Sequence, residues 1–145
     1  MRVLGIDLGA RRIGLAISDA SATLARPLKT IERGSSDESV ANALKAALEE
    51  IEAELGADEA VGCLVVGLPT RLDGSSNDQT AWTRRTVELL SARLGLPIVL
   101  QDERLSSHEA DQRLAEHEPD WRKRKARLDA AAAAVILQDY LDQHR

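Results

Sequence analysis

Three carboxylates at the edges of apolar segments are the residues of this sequence best placed to do chemistry. Asp7 interrupts Val3-Leu4-Gly5-Ile6-Asp7-Leu8-Gly9, a run that otherwise reads as a buried strand. Glu103 follows the strand-like Pro97-Ile98-Val99-Leu100, just past the carboxyl end where sites in open α/β sheets gather. Asp129 opens an alanine-rich helix, and Ala132, Ala133, Ile136 and Leu137 share its helix face, so it projects from an apolar face. Taking an unpaired carboxylate out of water is expensive, so such groups are paired, neutralised or bound to a cation. Three of them close together would repel strongly without a cation between them. Hard oxygen ligands with no supporting His or Cys cluster point to Mg2+ or Mn2+ rather than Zn2+. His108, His117 and His144 lack metal-ligand spacing and read as surface residues. Two such metals about 4 Å apart activate a water and stabilise the leaving oxygen of a phosphodiester.

Each acid also has a plainer explanation. Backbone N–H groups could satisfy Asp7. Glu103 stands between Asp102 and Arg104, as a residue of a surface loop would. Asp129 could be a helix cap or a first-turn acid favoured by the helix dipole. The metal reading gains from Gly5 and Gly9, whose missing side chains leave room beside Asp7 for a cation or a phosphate backbone.

The elements that must position these acids follow from periodicity. Strands are expected over 2–8, 13–18 and 22–31, the first two joined by Gly9-Ala10-Arg11-Arg12 as an antiparallel hairpin. Val40, Ala43, Leu44, Ala47, Leu48, Ile51 and Leu55 recur at helical steps, behind a capping box at Ser35-x-x-Glu38. Val61 to Gly67 is a continuous apolar strand, ended by Leu68-Pro69. A second helix starts near Ser76-x-x-Gln79 and stops at Gly95-Leu96-Pro97; a fifth strand spans 97–101. Ser106-x-x-Glu109 opens a short helix to about Ala115. The segment 116–125 reads as polar and mobile, before a last helix from about Arg127 to Leu141. This order, a meander followed by strand–helix alternation, predicts one α/β domain over residues 1–145. Its five-stranded mixed sheet has the first three strands antiparallel and helices on both faces.

Composition narrows the partners. With 145 residues, 43% apolar and 30% charged, the chain suits one domain with its own core. Aromatics are Trp82, Trp121 and Tyr140 alone, which argues against base-stacking platforms. The net charge of -5 is unusual for a nucleic-acid binder, but positive charge is clustered at Arg11-Arg12, at Arg84-Arg85 and at Arg122-Lys123-Arg124-Lys125 with Arg127. Such local patches attract phosphate while the far side stays acidic. Arg84-Arg85 reads equally well as a solvated face. Cys63 is the single cysteine, in an apolar run, and is expected as a small buried side chain. No apolar stretch approaches a membrane span and no signal-peptide pattern opens the chain, so the expected location is cytoplasmic.

Several motifs occur in order: Gly5-Ile6-Asp7-Leu8-Gly9 with Ile13-Gly14-Leu15-Ala16, Arg26-Pro27-Leu28, Val66-Gly67-Leu68-Pro69, Asp73-Gly74-Ser75, Asp102-Glu103-Arg104-Leu105-Ser106-Ser107, and the helix from Asp129 to Leu137. On these the sequence resembles the bacterial YqgF family (also called RuvX), Holliday-junction-resolvase-like proteins named as nucleases of pre-16S rRNA. The resemblance spans nearly the whole chain. It implies a ribonuclease-H-like fold, a divalent metal (Mg2+ or Mn2+) and phosphodiester hydrolysis in ribosome biogenesis, with Asp7, Glu103 and Asp129 at the acidic positions. Asp102 matches the motif as a neighbour of the ligands. Thr70-Arg71-Leu72 departs from the Leu-Asn-Met common in the family, and Arg71 could contact phosphate there. The related resolvases place a Glu near the end of the fourth strand; here Glu103 on the fifth replaces it, with Asp73 a weaker substitute. Under this reading Arg11, Arg12, Arg71, Arg104, Arg122, Lys123 and Lys125 position phosphates.

Other functions fit some of the same residues. Four-way DNA junctions are an alternative substrate to structured RNA. A non-catalytic RNA- or ribosome-associated factor could keep the acids for folding. The Gly-Ile-Asp-Leu-Gly motif also begins sugar-kinase and chaperone ATPases, but those need two such domains and this chain has room for one. The expected assembly is a monomer or homodimer, with no membrane partner.

Overall fold

The computed structural model describes residues 1–9, 12–56, 60–68, 78–102 and 121–144, and for 78, 79, 102 and 121–129 gives their place in a helix or strand alone. Strand β1 (Arg2–Leu8) turns back into β2 (Arg12–Ser18), an antiparallel pair with Leu4 opposite Ile17 and Asp7 opposite Gly14. β2 pairs antiparallel with β3 (Ala25–Glu32). On its other edge β1 pairs parallel with β4 (Val61–Leu68), and β4 parallel with β5 (Ile98–Asp102). The sheet order is β3-β2-β1-β4-β5, with β1 at the centre. This is the mixed five-stranded sheet that the sequence pattern predicts.

β3 begins three residues later than the apolar pattern implies. Ala22 adopts a left-handed conformation, φ 56°, in a turn that Asp19 organises. The Asp19 carboxylate accepts the backbone N–H groups of Thr23 and Leu24 at 2.8 and 3.2 Å. These bonds hold its carboxyl below the usual range and commit residues 19–24 to the turn.

Helices cover both faces. Helix α1 (Asp37–Leu55) and α2 (Asp78–Leu94) pack with Leu4, Ile6 and Leu8 of β1 and Ile13, Leu15 and Ile17 of β2 in one core. The cap of α1 is Ser36 rather than Ser35. Its hydroxyl accepts the Ser39 N–H at 3.1 Å, so the cap lies one residue later than predicted. Gly95, φ 67°, closes α2 by donating to the Ser91 carbonyl, where the sequence places the stop. Arg84 and Arg85 are exposed on α2, as a solvated face requires.

Helix α3 (Trp121–Gln143) covers the other face, where Ala133, Ile136, Leu137 and Leu141 pack with Val3, Ala16 and Val65. It begins about six residues before the predicted start. Residues 121–125, expected as part of a polar mobile segment, are therefore helical. The reason is propensity: Arg, Lys and Ala are among the best helix formers, so polarity alone does not make the run a loop. The expected helix over 106–115, and residues 116–120, lie outside the described residues.

Candidate functional site

Alternation along β1 puts Val3, Gly5 and Asp7 on the face that α3 covers, and Leu4, Ile6 and Leu8 on the face of α1 and α2. Gly5 shows how close the helix comes. A Cβ built there would lie 2.8 Å from the Leu137 Cβ and 3.0 Å from the Ala133 carbonyl oxygen. The space beside Gly5 is thus filled by α3 and is not left for a cation or phosphate, which corrects that part of the expectation. The small Ala133 lets the helix sit this low.

Asp7 is 8% exposed, a buried carboxylate near the carboxyl end of the central strand. Several of its backbone neighbours are glycines. Gly5 and Gly9 flank it along the chain, and Gly14 stands opposite on β2. On β4 the register Gly5–Val65, Ile6–Val66 brings Gly67 alongside next, itself paired with Gln101 of β5. Gly14 and Gly67 stand in the motifs that carry the resemblance, but the sequence reading gives them no place beside Asp7. The signal was available, because a hairpin turning over residues 9–12 must pair 7 with 14.

The direction of α3 follows from Gln138. Its amide donates to the Thr23 carbonyl at 3.0 Å and accepts the Ala25 N–H at 2.9 Å. Ala25 pairs with Ser18, whose hydroxyl accepts the Val3 N–H at 2.8 Å. Residue 138 therefore lies over the start of β1, and the helix runs back from the Asp7 end. One turn before Ala133 stands Asp129, about 6 Å along the axis, which matches the roughly 6.7 Å from Gly5 to Asp7 along the strand. The backbone thus carries Asp129 towards the Asp7 end; its side chain is outside the description.

The remaining predicted site residues divide plainly. Asp102 closes β5 at the same sheet edge. Arg12 opens β2 opposite Glu32 and is half-buried. Arg122, Lys123 and Lys125 lie in the first turns of α3, placed by backbone alone. Glu103, Arg11, Arg71, Asp73 and Arg104 lie outside the described residues. Among the described residues there is no group of three or more His, Cys, Asp or Glu side chains suited to a metal. Asp7, a buried carboxylate, offers oxygen atoms of the kind a hard divalent cation takes.

Sequence reasoning also missed Arg33, whose Nη1 donates to the Gly9 carbonyl at 3.0 Å. Cys63 is half-buried rather than buried. Burial raises the pKa of its thiol, partly offset by a hydrogen bond with Tyr140, so at neutral pH it is protonated and a poor nucleophile. His144 is exposed and stacked on Tyr140, 4.1 Å between ring centroids. No helix among the described residues is long and apolar enough to cross a membrane.

A mixed sheet in this order, helices on both faces and a buried acid on its central strand define the ribonuclease-H-like α/β class. Comparison with known proteins gives the family. The family model "RuvX: Holliday junction resolvase" matches residues 1–143. A "Putative pre-16S rRNA nuclease" of Anaeromyxobacter sp. is 43% identical over 142 residues, covering 98% of this chain and 97% of the relative. The chain belongs to the RuvX (YqgF) family and, with it, to the nucleases. Among solved structures, Thermus thermophilus RuvC in complex with a Holliday junction substrate superposes with a TM-score of 0.54 at 18% identity, over 99% of this chain and 96% of that one. An Arthrobacter inorganic polyphosphate/ATP-glucomannokinase reaches 0.50 at 24% identity, over 73% of this chain and 46% of the kinase. Both show a shared fold and no more.

Proposed function

We propose that the chain is a metal-dependent endonuclease that cuts precursor 16S rRNA at its 5' end, with Asp7, Glu103 and Asp129 as the metal-holding and catalytic carboxylates. The observation that carries this reading is Asp7: a carboxylate 8% exposed, ringed by glycine positions, at the carboxyl edge of the central strand. Mg2+ or Mn2+, when bound, supplies positive charge for the phosphodiester and eases deprotonation of water.

The chain's own residues do the rest. Asp7 offers its oxygens from a rigid strand, and Gly9, Gly14 and Gly67, the glycines other than Gly5, let a phosphate backbone come near. Asp129 arrives on a helix seated against Gly5, so its position is fixed by packing. Arg11, Arg12, Arg71, Arg104, Arg122, Lys123 and Lys125 hold substrate phosphates and set the register of the cut. The protein works in the cytoplasm as a monomer or homodimer on structured RNA.

Purified protein with Mg2+ or Mn2+ should cleave a precursor 16S substrate, and Asp7→Asn should abolish cleavage while the fold is retained. Activity that survives in Asp7→Asn would overturn the assignment. The family model's own description favours a second reading, cleavage of four-way DNA junctions. Parallel assays on a junction and on the precursor RNA decide between them.

A further inference from the structure

Two contacts meet at Arg33, in the segment between β3 and α1, and a third anchors its partner Trp82. Its Nη1 donates to the carbonyl oxygen of Gly9, two residues beyond Asp7, at 3.0 Å. Its guanidinium carbon lies 3.7 Å from the centroid of the Trp82 ring on α2. Trp82 in turn donates Nε1 to the Asp37 carboxylate at 2.8 Å, and Asp37 is the first residue of α1.

The Gly9 peptide has no side chain to anchor it, so its backbone bonds fix how the chain leaves β1. Its N–H points to the carbonyls of Asp7 and Arg12 at 3.1 and 3.0 Å. Its carbonyl is the group that Arg33 holds. A planar guanidinium can donate in its plane while stacking its face on an indole, which the ammonium of lysine cannot do.

We infer that Arg33 is a positioning residue: clamped on Trp82, it holds the Gly9 carbonyl and so fixes the end of β1 that presents Asp7. This role rests on the reading of Asp7 as the site carboxylate. It also couples the site to the joint between α1 and α2, which Arg93 reinforces by donating to Asn42 at 2.8 Å.

The test uses the full chain as wild type, Arg33→Ala and Arg33→Lys, with two readouts. Amide hydrogen exchange, which needs no catalysis, should show Gly9 exchanging on the order of tenfold faster in Arg33→Ala, the effect of losing one hydrogen bond. Leu4 and Ile6 in the same strand should keep their wild-type rates. On precursor RNA, kcat should fall roughly tenfold with KM unchanged, as expected when a reacting group is loosened but binding is not. Arg33→Lys should remain faster-exchanging than wild type at Gly9. Unchanged exchange at Gly9, a uniform rise across all β1 amides, or full recovery with lysine would each overturn the inference. Should wild type cut no RNA, the nuclease reading fails, and the exchange data still decide whether Arg33 holds the strand end.

Discussion

Replacing Gly5 with alanine tests the packing that brings α3 to the Asp7 strand. The new Cβ would lie 2.8 Å from the Leu137 Cβ and 3.0 Å from the Ala133 carbonyl, both short of the 3.4–4 Å of ordinary contact. The helix must therefore lift by about 0.6 Å or more, and neither atom is the end of a flexible side chain. Overpacking of this kind costs about 1–3 kcal/mol, against roughly 0.4–1 kcal/mol gained because alanine restricts the unfolded chain. The net is a loss of about 1–2 kcal/mol, or roughly 2–8 °C in Tm for a domain of this size. Asp129 rides on the same helix one turn away, so cleavage should fall by roughly tenfold or more, since a 1 Å misplacement can cost about a hundredfold. Thermal melts and single-turnover cleavage of precursor RNA measure the two effects. Gly62→Ala is the matched control: its Cβ meets the flexible side chain of Met1, which can swing away, and Tm should barely change. A Gly5→Ala protein as stable as wild type would refute the close seating of α3. A less stable one with full activity would refute the role of that helix in the site.

Two further substitutions probe the frame around the site. Thr83 is fully buried on α2 and its hydroxyl has no hydrogen-bond partner among the described residues. Thr83→Val removes that unsatisfied group and should raise stability by about 1 kcal/mol in denaturant melts; a loss would reveal a partner for the hydroxyl. Asp19 has a folded-state pKa below its ordinary 3.8, caused first by the Thr23 N–H and then by the Leu24 N–H. A depressed carboxylate pKa gives stability that is present above the unfolded value and lost as pH falls through the folded one. The Tm gap between wild type and Asp19→Ala should thus be full at pH 7 and close below about pH 3.8. A gap that persists in acid would show that the turn does not depend on the carboxylate's charge.

Much of the fold was legible because it rests on local rules. The hairpin of β1 and β2, the stop of α2 at Gly95 and the apolar stripe of α1 all follow from turn chemistry and periodicity. What failed was choice between locally equal options. Ser35 and Ser36 both carry a capping hydroxyl, and only the observed bond to Ser39 separates them. The basic run at 122–125 reads as loop by polarity and as helix by propensity, and it is helix. At the site, Asp7 stood out because a charge in an apolar strand breaks the pattern. Gly14, Gly67 and Arg33 did not, because their importance lies in what pairing and packing bring beside Asp7. Gly5 was noticed for the right reason, a missing side chain, but the space serves a helix.

The central claim is that Asp7 holds a divalent cation together with Glu103 and Asp129. Anomalous diffraction from crystals grown with Mn2+ tests it most directly. The account predicts a peak about 2.2 Å from an Asp7 carboxylate oxygen, within the range of oxygen–metal bonds, and shared with Glu103 and Asp129. No peak at Asp7 at millimolar Mn2+, with its carboxylate satisfied instead by protein N–H groups, would contradict it.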